Sequence, residues 1–377
     1  MVTFGIDTRP LFFARGGIAS YVKGLVLGLF RVASDNRYVL LCPKKYTGQG
    51  GALDVPESAW HLIRLPLRNH ALNAVWENIL LPLAVRRARV DLVHFPRFAV
   101  PYFRAGRTVV TVHDLAFRRC PGMLTEKARC YFEAVTSKAV HRADAVIAVS
   151  EHTRQDLVDI YRVPLDRVHV VYNGVEPRFC PGEMDVARDR IGRACGLEGS
   201  YILFVGTLEP RKNLVGLLRA YALLRKSGAV DLPLVIAGGK GWLYEGIFQT
   251  VGVLGLRPYV RFLDYVPDAD LPDLYRGARV FVYPSFYEGF GLPVLEAMAC
   301  GTPVITSNVS ALPEVAGDAA LLVDPNEPEA IAGALGRILD DEGLAHDLRQ
   351  RGIRQAAHFS WDRAAKETLS VYRTCIG

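Results

Sequence analysis

Short apolar runs alternate with longer stretches of helical spacing along almost the whole chain. The runs "VTFGID", "YVLLCP", "DLVHFP", "RTVVTVHD", "DAVIAVS" and "VHVVYNGV" are strand-sized and rich in Val and Ile. Between them, stretches such as "IASYVKGLVLGLFRVA" and "YFEAVTSKAVHRA" repeat apolar residues at the interval of a helix with one buried face. The pattern restarts with "YILFVGT", "PLVIAGG", "VRFLDYV", "ARVFVYP", "TPVITS" and "AALLVDP". Strands alternating with helices form parallel sheets covered on both faces. Two such series predict an α/β chain of two Rossmann-like domains, with ligands at the carboxyl ends of the strands. Gly and Pro cluster in "NGVEPRFCPGE", Asn173 to Glu183, which places the expected domains at 1–178 and 179–358. Ser360 suits a helix cap, so "SWDRAAKETLSVYRTC" predicts a final amphipathic helix in 359–377, packing back toward the first domain.

A chain of 377 residues exceeds one ordinary core, in keeping with two domains. With 50% hydrophobic and 22% charged residues, it has the composition of a soluble globular protein. The apolar runs fall short of a membrane span, and "MVTFGID" starts a strand with no leader pattern before it. The 7 cysteines include no CxxC pair, so a cytoplasmic protein is expected. The net charge of +6 is unevenly spread. Residues 1–178 hold 25 Lys and Arg against 15 Asp and Glu, and the remainder 20 against 24. Arg86 to Arg142 alone hold 12 basic and 4 acidic residues, which reads as a solvated face or a surface for an anionic partner. Without interleaved aromatics or a DNA-reading motif, nucleic acid is not expected as that partner.

Two motifs sit at expected strand ends. In "YILFVGTLEPRKNLVGLLRAY" a strand ends at Gly206, a loop carries Arg211 and Lys212, and a helix follows. Free N–H groups at a helix start and two cations suit a diphosphate, although a solvated basic turn has the same composition. No GxxxxGK[ST] or GxGxxG pattern is present. In "YEGFGLPVLEAMACGTPVI" Glu288 falls in a loop, Pro293 opens a helix, and Glu296 is expected in its first turn. Gly289 and Gly291 let backbone N–H groups approach a ligand. Carboxylates accept hydrogen bonds from vicinal hydroxyls, so the pair suits two sugars of one molecule. An exposed loop charge at Glu288 and a dipole-favoured acid at Glu296 are the plainer alternatives. "DAD", Asp268 to Asp270, precedes "LPDLYRGA" and is expected to cap that helix rather than hold a metal.

The combination of "GTLEPRKNL" with Glu-x7-Glu in "EGFGLPVLEAMACGTPVI" resembles the retaining glycosyltransferases of family 4, which have the GT-B architecture. "RGGIASYVKGL", "TVHDLAF", "VYNGV", "RFLDYVPDADLPDLY" and "FSWDRAAKETLSVY" extend the resemblance over most of the chain. It implies two Rossmann-like domains facing across a cleft, and roles residue by residue. Arg211 and Lys212, in the loop that Gly206 opens, would bind the donor's diphosphate and neutralise it as it leaves. Glu296 would take the ribose hydroxyls and Glu288 those of the transferred sugar. The backbone of Gly289, Phe290, Gly291 and Leu292 would approach that sugar and the phosphates. Gly17 would reach the diphosphate from the first domain, and His113 would face the sugar. Preorganised cations stabilise a departing nucleoside diphosphate, so no metal and no other cofactor is expected. No residue suggests itself as a covalent nucleophile.

Asp268 follows "FLDYV", the strand end that contacts the base in this family, and an aspartate can accept both the N1–H and the N2 amino hydrogen of guanine. With "AGGKGWLYEGIF" and "HDLAF", which look like the mannosyltransferase branch, this implies GDP-mannose, with UDP-glucose or a related UDP-hexose as the alternative. The expected acceptor is a glycan or lipid-linked glycan in polysaccharide biosynthesis. A sugar-nucleotide epimerase of the same architecture and a non-catalytic nucleotide-sugar module are further alternatives. In "LNAVWENILLPLAVRRARVD", Trp76, Ile79, Leu80 and Leu83 are expected to pack on the first sheet. That would leave Arg86, Arg87 and Arg89, with Arg104, Arg107, Arg118 and Arg119, to bind an anionic membrane peripherally.

Overall fold

The computed structural model describes residues 2–13, 16–43, 60–65, 76–97, 100–104 and 106–377. Among these residues the strands form two sheets, and all of the strand pairs are parallel. The first contains β1 (Thr3–Asp7), β2 (Arg37–Pro43), β3 (Trp60–Leu65), β4 (Leu92–Phe95), β5 (Arg107–Val112), β6 (Ala145–Ala148) and β7 (Val168–Val170). Its order is β3-β2-β1-β4-β5-β6-β7. The second contains β8 (Ile202–Val205), β9 (Leu234–Ala237), β10 (Val260–Asp264), β11 (Val280–Tyr283), β12 (Val304–Ser307) and β13 (Leu321–Val323), in the order β10-β9-β8-β11-β12-β13. Every residue of β1, β4, β6, β9, β11 and β12 is buried, as covered parallel strands require. The direction of winding reverses between β1 and β4 in one sheet and between β8 and β11 in the other. The carboxyl ends beside such a reversal are where open α/β sheets bind ligands. β3, at a sheet edge, is an addition to the expected strands.

The chain folds as two compact units. One comprises Met1–Leu115, Glu126–Gly174 and Phe359–Gly377, and the other Ala116–Thr125 and Val175–His358. The final helix, Trp361–Ile376, therefore belongs to the first unit, where it packs along the helix Gly17–Val32. Ser360 caps it, its Oγ accepting from the Arg363 N–H at 3.2 Å. Trp361, Leu369 and Tyr372 bury the apolar stripe. Gly24 and Gly28, one helical turn apart, make the approach possible. A Cβ on Gly24 would lie 2.1 Å from the Trp361 ring, and one on Gly28 would lie 2.5 Å from the Trp361 carbonyl oxygen.

The basic amphipathic segment differs from expectation. Residues 72–75 lie outside the described residues, as does the Trp76 side chain. The remainder forms a π-helical turn, Trp76–Leu80, followed by an α-helix, Leu81–Arg87. Leu81, Pro82 and Val85 are its buried residues, while Ile79, Leu80 and Leu83 are 47%, 47% and 45% exposed. The change of helical pitch rotates the apolar stripe, so its expected members face solvent. Nor do Arg104 and Arg107 stand free: both pair with Asp144, at 3.2 and 3.1 Å. Arg118 and Arg119 lie in the segment that belongs to the second unit.

Gly24→Ala should push the Trp361 ring off the helix and cost about 1–3 kcal/mol in urea unfolding. Gly333→Ala, on a helix where an added Cβ meets nothing within 4 Å, should be neutral or slightly stabilising. Equal stability of the two variants would show that the helix pair tolerates the larger residue.

Candidate active site

The switch point of the second sheet gathers the charged residues singled out in the sequence. The loop after β8 runs through a short 3-10 turn, Pro210–Lys212, and the loop after β11 carries Glu288. Asn213 ties the two together. Its backbone takes a left-handed conformation (φ 56°), and its side-chain oxygen caps the helix Leu214–Ser227 by accepting from the Gly216 N–H at 3.1 Å. Its amide nitrogen donates to the carbonyls of Pro284, at 3.1 Å, and Pro325, at 2.6 Å. The Phe286 N–H donates to the Arg211 carbonyl at 2.9 Å, and the Ser310 hydroxyl accepts from the Glu288 N–H at 3.0 Å. Close backbone approach completes the frame: a Cβ on Gly238 would lie 2.0 Å from the Gly206 carbonyl.

Within this frame Glu288 sits between two cations. Lys212 Nζ lies 2.6 Å from Glu288 Oε1, and an Arg211 guanidinium nitrogen lies 2.9 Å from Oε2. Lys212 also donates to the Tyr283 hydroxyl at 2.7 Å, and that hydroxyl donates to Glu288 at 3.1 Å. The other arm of Arg211 meets Glu209 at 2.7 Å. Glu209, Lys212 and Glu288 are all buried. Burial alone would raise the Glu288 carboxyl, but Arg211 and Lys212 outweigh it and hold the group down at about 2. Burial lowers the Lys212 ammonium and Arg211 adds to that, while Glu288 and Glu209 act in the opposite sense. The cluster is therefore a preformed clamp in which Arg211 and Lys212 already face carboxylates.

Glu296 sits in a different environment. Its helix, Leu292–Ala299, starts after Gly291, whose φ of 109° is one that side chains rarely adopt. Leu292 is the first helical residue, so Glu296 lies in the second turn and not the first, beyond the reach of the amide dipoles at the helix start. Part-buried, it accepts from the Tyr275 hydroxyl at 2.9 Å. Arg178, paired with Glu176 at 3.1 Å, and Asp268 surround it electrostatically. Asp268 is exposed; its carbonyl accepts from Arg178, and its carboxylate accepts from the Tyr265 hydroxyl at 3.3 Å. Asp270 stands at the N-cap of Leu271–Gly277 but makes no side-chain capping bond, contrary to expectation.

Comparison with known proteins gives this geometry a context. Residues 15–179 match the Glycosyltransferase Family 4 model, and residues 192–355 match the Glycosyl transferases group 1 model. The chain is 37% identical, over 77% of its length and 76% of the relative's, to an O-antigen chain mannosyltransferase B of Escherichia coli. It is 33% identical, over 100% of its length and 98% of the relative's, to an uncharacterized glycosyltransferase of Methanocaldococcus jannaschii. The chain belongs to the family 4 glycosyltransferases. Its fold is that of the sucrose-phosphate synthase of Thermosynechococcus elongatus, with a TM-score of 0.79 at 23% identity over 99% of both chains.

In this glycosyltransferase the second unit brings Arg211, Lys212 and Glu288 into one cluster, with Glu296 on the helix that follows. Gly206 opens the β8 loop, and Gly289, Phe290 and Gly291 are buried in the β11 loop, followed by part-buried Leu292. In the first unit, Gly17 is exposed and is the first residue of the helix Gly17–Val32 rather than a loop residue. His113 directly follows β5. Its Nε2 lies 2.8 Å from the Pro96 carbonyl, which can only accept, so the proton sits on Nε2 and Nδ1 is left as an acceptor. Burial lowers its pKa, keeping the ring neutral. Sequence reading missed Glu209, Tyr283, Tyr275 and Asn213. The "LEPRKN" stretch contained a signal for Glu209, a carboxylate two residues from Arg211. The two tyrosines gave none, because strand and helix cores are full of them.

The carboxylates differ in their pH linkage. Burial raises Glu296 to about 7 from an ordinary 4.5. Folded Glu296 thus keeps a proton that the unfolded chain has lost, and stability falls as pH rises from 4.5 through about 7. Glu288 acts in the opposite sense: its contribution is in place above 4.5 and is lost as pH falls toward about 2. Glu296→Gln should therefore stabilise the protein at pH 8 by about 1–2 kcal/mol, after discounting for partial exposure, and change little at pH 4. Urea titrations at both pH values measure this; no gain at pH 8 would mean that burial does not raise the carboxyl.

Proposed function

We propose that this glycosyltransferase transfers mannose from GDP-mannose to a glycan or lipid-linked glycan in polysaccharide assembly, with retention at the anomeric carbon. The choice of sugar rests on one observation: the 37%-identical relative that spans most of the chain is an O-antigen chain mannosyltransferase. The clamp supplies a route. An incoming diphosphate exchanges partners with Glu288 at Arg211 and Lys212, and the released carboxylate oxygens accept hydroxyls of the sugar. The same cations then meet the charge that builds on the departing diphosphate, in a site that needs no rearrangement of its donors. Glu296 accepts the ribose hydroxyls with Tyr275 behind it, Asp268 reads guanine, and His113 Nδ1 accepts a sugar hydroxyl. With two cations at the diphosphate, the scheme requires no metal.

Hydrolysis of a panel of nucleotide-sugars by the purified protein, without acceptor, tests the donor. GDP-mannose should be turned over fastest, and Arg211→Ala and Lys212→Ala should each lose about 2–4 kcal/mol in kcat/KM, roughly thirty- to nine-hundred-fold. Faster hydrolysis of UDP-glucose would move the donor to the uridine series, and near-normal kcat/KM in both variants would remove the clamp from the mechanism.

The place of action is part of the same reading. Among the described residues no helix is long and apolar enough to cross a membrane. Exposed Ile79, Leu80 and Leu83 beside exposed Arg86, Arg87 and Arg89 instead suit peripheral contact with an anionic bilayer, apolar side chains entering and cations meeting headgroups. Each basic residue adds about 1 kcal/mol near such a surface. Sedimentation with phosphatidylglycerol vesicles should show binding that weakens with salt and drops several-fold in Leu80→Ser/Leu83→Ser. Absence of binding at low salt would refute the contact.

A further inference from the structure

The first unit contains a chain of buried polar side chains that leads from the final helix to His113. Tyr372, on Trp361–Ile376, places its hydroxyl 2.6 Å from Nδ1 of His94 in β4. Nε2 of His94 lies 2.8 Å from the hydroxyl of Thr111 in β5. That hydroxyl lies 2.9 Å from the hydroxyl of Tyr21, on Gly17–Val32. The Tyr21 ring then stands edge-on to the His113 ring, with centroids 4.7 Å apart and planes at 83°. Tyr21, His94, Thr111 and Tyr372 are each at most 1% exposed.

Polar groups are costly to bury unless bonded, and an apolar core would pack here without that requirement. What three linked bonds add is a single arrangement. Burial holds His94 down at about 3, so it is neutral, with one N–H and one lone pair. Whichever tautomer it takes, its two bonds run in the same sense along the chain, and a break at either end leaves the adjacent buried group short of a partner and removes what fixes the sense of the bonds that remain. β4 holds His113 from a second side as well, because Pro96, just past the strand, supplies the carbonyl that accepts from His113 Nε2. The ring is thus held by that carbonyl and by the Tyr21 ring, and Tyr21 is held by the chain at its hydroxyl and by the Trp361 ring of the final helix, 5.8 Å away between centroids.

We propose that Tyr372, His94, Thr111 and Tyr21 are positioning residues for His113, so that docking of the final helix sets the orientation of that imidazole and, through it, keeps the bond to the Pro96 carbonyl that selects its tautomer. This rests on the reading of His113 as a sugar contact, but the test separates the two. Tyr21→Phe, Thr111→Val and Tyr372→Phe each remove a hydroxyl at nearly constant shape. Tyr38→Phe, a buried tyrosine bonded to the Leu29 and Ala33 carbonyls outside the chain, is the control. In protein labelled with 15N at histidine, wild type and Tyr38→Phe should show His113 as one Nε2–H tautomer, and the three chain variants should show it exchanging between tautomers. Donor turnover in those three should fall roughly three- to thirty-fold in kcat with KM within about twofold, the loss expected of a misplaced group. Combining Tyr21→Phe with Tyr372→Phe should cost little more than the worse single change, since one chain is broken either way. Unchanged His113 ring signals in all three variants would overturn the proposal and leave the chain as core packing. Altered signals with unchanged turnover in His113→Ala would keep the positioning and refute the sugar contact.

Discussion

Burial works against the charge on both Glu288 and Lys212: Arg211 and Lys212 hold the carboxylate ionised, while Glu288 and Glu209 oppose the loss of the Lys212 proton. Removing any one of such charges leaves another uncompensated, which costs more than the pair itself contributes. The rest of the second unit's switch point is organised around this mutual need. Asn213, Ser310 and the Phe286 N–H fix the two loops so that the three charges meet with ion-pair distances of 2.6 and 2.9 Å. The cations are oriented before any substrate arrives, which is the condition for electrostatic stabilisation without reorganisation. On the proposed reading, a diphosphate would meet a site whose desolvation carboxylates already offset, and would need only to replace them.

The two carboxylates show how strongly surroundings outweigh sequence distance. Glu288 and Glu296 are eight positions apart, one in the β11 loop and the other in the helix that follows it. One is flanked by cations and stays ionised far into acid. The other has a tyrosine hydroxyl and a more distant arginine, insufficient to offset burial, and titrates near neutrality. Nothing in the local sequence separates them. The difference comes from β8 and its loop, which bring Arg211 and Lys212 to one carboxylate and not to the other.

The strands were legible because covered parallel strands must be apolar on both faces, a signal that survives without any tertiary information. The exception, Trp60–Leu65, places polar His61 and Arg64 among apolar residues, so its run is broken. Helix phase was harder to read. Gly291 takes the left-handed turn and Leu292, not Pro293, the first helical position, which moves Glu296 one residue inward, from the fourth helical position to the fifth and so past the first turn. The π-helical pitch at Trp76–Leu80 likewise turns Ile79 and Leu80 outward. Both depend on local backbone conformation, which residue periodicity does not encode. Of the site, the charged members stood out as charges at strand ends. Tyr275, Tyr283 and Asn213 did not, because their work is to bond partners that only the fold brings near.

The return of the final helix to the first unit has a consequence for how the protein is made. Residues 359–377 complete a unit whose other parts end at Gly174, so the whole main part of the second unit is synthesised in between. While the ribosome is still at work, the second unit's sheet can close before the first unit has its last layer. Until Trp361 emerges, the glycine face of Gly17–Val32 is an uncovered apolar surface, the kind that invites wrong partners. A premature stop near the C-terminus would thus damage the part of the protein made first.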